Sequence, residues 1–63
     1  MSSINTLNKF AVHTNSKGEV NILLPPQNYI TREEALVLAA WIVVLAGADL
    51  VEFDDYVEAV EES

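Results

Sequence analysis

The chain has 63 residues, 51% of them apolar, and a formal charge of −7 at neutral pH. That length allows one small domain, and the apolar fraction excludes a disordered chain. There is no cysteine and one histidine, so neither a disulfide framework nor a zinc cluster is available.

A core of this size rarely supplies more than about 3–5 kcal/mol, and chains this short usually need a staple. With disulfides and metals set aside, association of copies is the staple that remains. The charge is unevenly placed. Lys9, Lys17 and Arg32 are the only basic residues, and from Glu33 onward there are nine acids and no base. Such a chain is repelled by phosphates, so direct nucleic-acid binding is not expected.

Residues 1–8 read as a flexible lead-in or an extra strand, and 9–63 as a single small α+β domain. The start, MSSINTLNKF, lacks a basic segment followed by an apolar one, so no signal peptide is expected. KFAVHTNSKGEVNILLPP predicts a β-hairpin around NSKG. Gly18 suits the left-handed position of a type I turn with a bulge. That turn pairs Asn15 with Glu19, and so sets Thr14 opposite Val20, Val12 opposite Ile22 and Phe10 opposite Leu24. All six then share one face, because side chains alternate with period two. A one-residue slip would mix the faces. Pro25 and Pro26 end the second strand.

ITREEA carries a helix start, with Thr31 as N-cap and Glu34 as its capping-box partner. This helix should run from Arg32 to about Ala46 and stop at Gly47. Asp49 then caps a second helix, in which Leu50, Phe53, Val57 and Val60 recur on one face. The expected fold is therefore α+β, an N-terminal hairpin followed by two helices.

The first helix holds twelve consecutive apolar residues, Ala35 to Ala46. A membrane span needs roughly 20, so a buried core helix is the better reading. Ala35, Ala39 and Ala46 cluster on a narrow stripe suited to close approach of a neighbour. The large residues surround the rest of the helix. A helix apolar all round must be enclosed, and two strands with one further helix do not enclose it. Oligomerisation through Leu36, Val37, Leu38, Trp41, Val44 and Leu45 is expected, since soluble oligomers are mostly symmetric homo-oligomers. The competing reading is a monomer whose residues 1–8 close the gap as a third strand.

No phosphate loop, metal-ligand motif or activated nucleophile is present, so an enzyme and a cofactor are not expected. His13 is read as an exposed strand histidine beside Asn21, and Trp41 as a core or interface anchor. Arg32, with Thr31 and Tyr29, marks a helix N-terminus that favours anions. Lys9, His13, Tyr29, Thr31 and Arg32 are therefore the residues to suspect for a phosphate-bearing ligand. The acids of the second helix, Asp54, Asp55, Glu58, Glu61 and Glu62, form either a solubilising face or a surface for a basic host protein.

The stretch GEVNILLPPQNYITREEALVLAAWIVVLA, Gly18 to Ala46, resembles a pattern in small accessory proteins of tailed bacteriophages and prophages. These share a short strand ending in Leu-Pro and a Thr-capped helix of the EEAL-LAAW kind. The resemblance implies a phage accessory protein in the cytoplasm of a bacterial host. Such proteins often disable host defences: some inhibit CRISPR complexes, others sequester cyclic-nucleotide signals between subunits. The leading expectation is a non-enzymatic homo-oligomer that binds a host immune nucleotide at subunit interfaces. The alternatives are an acidic inhibitor of a host protein, imitating nucleic acid, and a small structural or assembly protein.

Overall fold

A computed structural model describes residues 4–63. The elements follow in the order β1 (Val12–Thr14), β2 (Val20–Ile22), α1 (Arg32–Ala46) and α2 (Leu50–Glu62). The strands form an antiparallel pair with Val12 opposite Ile22, His13 opposite Asn21 and Thr14 opposite Val20, the expected register. Asn15 builds the turn: its side-chain oxygen accepts from the N–H groups of Lys17 (2.9 Å) and Glu19 (3.0 Å). Gly18 takes φ +79°, a conformation in which a Cβ is strained.

The strands are shorter than the alternation predicts. Ala11 sits at φ +49°, closing a turn in which its N–H donates to the Asn8 carbonyl at 3.2 Å. Leu23 then donates to Ala11 and Leu24 to Phe10, two successive bonds where a regular ladder skips one residue. The shared face therefore ends at Val12 and Ile22, and Leu24 is left 62% exposed.

The capping box forms as expected. The Thr31 hydroxyl accepts from Glu34 N–H at 3.1 Å, and the Glu34 carboxylate accepts from Thr31 N–H at 3.0 Å. Losing such a cap typically costs about 1 kcal/mol. At the other end, Gly47 N–H donates to Val44 and Ala48 N–H to Val43, a Schellman stop made possible by φ +77° at Gly47. Asp49 caps α2 by accepting from Glu52 N–H at 2.7 Å.

α1 packs on both strands, and α2 makes no comparable contact with any element. Val37, Leu38, Trp41, Ile42 and Leu45 are half-buried, while Ala39, Ala40 and Val44 lie exposed on the opposite side of α1 and Leu36 is exposed near its start. Ala39 and Ala46 of the alanine stripe are also exposed; the bulky side, not the small one, faces the hairpin. Residues 4–8 form no strand. They are tied to α1 by the Trp41 indole N–H, which donates to the Thr6 carbonyl at 3.1 Å. Residues 1–3 of the expected lead-in lie outside the described residues.

Among the described residues only Val12, 3% exposed, is fully buried. The accessible surface is 5533 Å², whereas a compact monomer of 6.9 kDa exposes about 4,000 Å². The radius of gyration is 12.9 Å, against about 10.6 Å for a compact chain of this length. Among the described residues, no helix is long and apolar enough to cross a membrane.

Candidate functional site

Two surfaces stand out. The first is a groove of about 520 Å³ between the N-terminal segment and the first half of α1. Leu7, Phe10 and Val12 line one wall; Leu36, Val37, Leu38 and Trp41 line the other. The capping box and the Trp41–Thr6 bond place these walls: one fixes where α1 begins, the other holds the strap across it. The rim is polar. The Lys9 ammonium donates to the Glu34 carboxylate, bridging the two walls from 25 residues apart in sequence.

Glu34 is held well below its ordinary range, from 4.5 to about 2. The Lys9 hydrogen bond is the largest cause, followed by the bonds from the Thr31 backbone and hydroxyl. A carboxylate that accepts several donors stays charged. It also fills the first-turn position that a bound anion would need.

The suspected ligand residues are divided by this arrangement. Lys9 and Thr31 line the groove, but both are engaged, one by Glu34 and the other as the cap. His13, Tyr29 and Arg32 do not line it. His13 is exposed on β1 with its Nδ1 3.3 Å from the Thr14 carbonyl oxygen. Tyr29 is 87% exposed in the loop before α1, and Arg32 is exposed at its first position. The groove is thus apolar, with Lys9 and Glu34 paired at its rim and Glu33 beside them. Phe10, Asn8 and Glu34 were missed by sequence reasoning as site residues. The only sequence hint was Glu34 in the capping box.

Of the expected interface residues, Leu36, Val37, Leu38 and Trp41 line the groove. Val44 is 71% exposed on the outer side of α1, and Leu45 is half-buried.

The second surface is α2 itself. At about 100° per residue, Leu50, Phe53, Tyr56, Val57 and Val60 fall within an arc of about 120°. Leu50 is 83% exposed and Val60 71%. Glu52, Asp54, Asp55, Glu58, Glu61 and Glu62 occupy the remaining arc, and no basic residue lies in the last turn. The acids named for a protein-binding face are therefore together and exposed. Among the described residues, no three His, Cys, Asp or Glu side chains are placed to share a metal ion.

No family model matches the chain, and no similar curated protein or solved structure was found.

Proposed function

We propose that this chain is a non-enzymatic accessory protein of a phage or prophage, which self-associates in the cytoplasm of a bacterial host and counters an antiviral defence by binding. Self-association rests on one observation: the surface exceeds that of a compact 6.9 kDa monomer by about 1,500 Å². A standard interface removes about 800 Å² per partner. The excess is apolar on the outer side of α1 (Val44) and on α2 (Leu50, Val60). Copies meeting through α1 cover the first of these patches.

Of the two binding targets, a basic host protein fits the geometry better than a nucleotide signal. The five residues suspected of holding a phosphate are not gathered in the groove, and Glu34 occupies the helix N-terminus. The acids of α2, by contrast, lie together on one exposed face, and association brings two or more such faces into one particle. An array of carboxylates of this kind imitates the charge of a nucleic-acid backbone.

Native mass spectrometry, with and without a bacterial nucleotide extract, tests the reading. A discrete oligomer that gains no mass supports it. An oligomer that gains nucleotide-sized mass returns the signal-sequestering mechanism, and a monomer overturns self-association. In a host carrying the targeted defence, Glu58→Lys, Glu61→Lys and Glu62→Lys together should abolish phage protection. Unchanged protection would refute the acidic-face mechanism.

A further inference from the structure

α2 carries an apolar stripe that its own chain leaves open. Leu50, Phe53, Val57 and Val60 follow one another at spacings of three, four and three, the interval of a seam that another helix can fill. Phe53 is half-buried within its own chain. Leu50 is 83% exposed, Val60 71% and Tyr56, at the border of the stripe, 65%. α2 makes no comparable contact with any other element, and the α1 contact proposed above does not cover it.

Both edges of the stripe are acidic. At about 100° per residue, Glu61 and Asp54 follow Leu50 on one edge, and Glu52 follows Tyr56 on the other. α2 holds six acids and no cation. Among the described residues the one ion pair is Lys9 with Glu34, so the carboxylates of α2 have no cation within the chain.

This charge selects the occupant. A second α2 would set carboxylate against carboxylate along the seam, in parallel and antiparallel pairing alike, because both edges carry acids. No other segment of the chain offers a basic helix. α1 has Arg32 followed at once by Glu33 and Glu34, and no cation after them. Lys9 is held by Glu34, and Lys17 lies in the hairpin turn. The complement of α2 therefore belongs to a different protein.

We propose that α2 binds a basic amphipathic helix of a host protein, one whose apolar residues recur at the same spacing with Lys or Arg on both sides of them. The inference rests on the acidic-face reading and narrows it: the carboxylates orient the partner and the apolar stripe holds it. α2 has 13 residues and is about 20 Å long, so it matches a partner helix of similar length. A lone helix of that size is marginal in water, and pairing orders it.

The test uses the full chain and two labelled peptides of Leu and Lys, each about as long as α2. One carries Leu at alternating spacings of three and four; the other has the same composition scrambled, with no apolar face. Fluorescence anisotropy measures affinity, and amide hydrogen exchange locates the site. The patterned peptide should bind at least about tenfold tighter than the scrambled one, lose affinity with added salt, and slow exchange across residues 50–62. Leu50→Gln with Val60→Gln removes apolar surface at two exposed positions with a good helix former. This variant should keep the fold and lose the preference for the patterned peptide.

Equal binding of the two peptides would overturn the seam and leave the acidic-face reading standing. Protection confined to α1 and the N-terminal strap would overturn the inference and assign the helix to the groove. Dissociation of the free protein's oligomer by the Leu50 and Val60 substitutions would show that a second copy holds the stripe, and also overturn it. Binding of neither peptide would count against both readings.

Discussion

Asn8 grips Val12 with both ends of its amide: its oxygen accepts from Val12 N–H at 2.9 Å, and its NH₂ donates to the Val12 carbonyl at 2.9 Å. Val12 occupies a position opposite Ile22 where the ladder alternation points its backbone groups away from β2. One side chain thus stands in for a third strand at the most buried residue of the chain. Asn8→Ala leaves both groups unpaired in a part-buried site, a loss of about 1–3 kcal/mol. A thermal melt should fall by about 4–8 °C for each kcal/mol. An unchanged melt would mean that water replaces the amide at no cost.

The pair Glu34 and Lys9 makes the fold sensitive to acid. Because the folded carboxyl is lowered from 4.5 to about 2, its stabilisation is fully present above pH 4.5 and is lost as pH falls toward 2. Glu34→Gln should therefore be less stable than wild type at pH 7. The gap should narrow between pH 4.5 and 2. Lys9 is 61% exposed, so added salt should narrow it at neutral pH too. Urea titrations of both chains across this range check the sign.

Ala11 carries backbone strain that glycine would relieve. A left-handed conformation costs an L-residue about 1–2 kcal/mol, and Ala11 is at φ +49°. Ala11→Gly recovers part of this against a greater entropy loss on folding, for a net gain of up to about 1 kcal/mol. Ala11→Val, branched at Cβ, should destabilise by more than Ala11→Gly stabilises. Paired denaturant titrations measure both.

The elements whose signals are local were legible in the sequence. Gly18 and the period-two pattern of Val12, Thr14, Val20 and Ile22 agreed on one register, and Thr31, Glu34 and Gly47 bounded α1. What stayed hidden depends on contacts far apart along the chain or on backbone angles. Ala11 has no residue signature for a positive φ, since alanine rarely adopts one. Lys9 meets Glu34, and Trp41 meets Thr6, only after the strap folds over the helix. An all-apolar helix also conceals its inner side: nothing in the composition of α1 said that Trp41 and Leu45, and not the alanines, would face the hairpin.

The end of α2 opposes its own dipole, with Glu58, Glu61 and Glu62 beside the last carbonyls and no base in that turn. Glu61→Lys and Glu62→Lys should each stabilise the helix by about 0.3–1 kcal/mol at low ionic strength. Far-UV circular dichroism of the two-residue variant should show higher helix content, with the gain reduced at high salt.

A thirteen-residue helix without neighbours is marginal in water, and α2 packs on nothing comparable within its own chain. If copies associate as proposed, contacts between them add order that the helix lacks alone, and the amount of protein present becomes an input to the geometry in which the acidic face is shown.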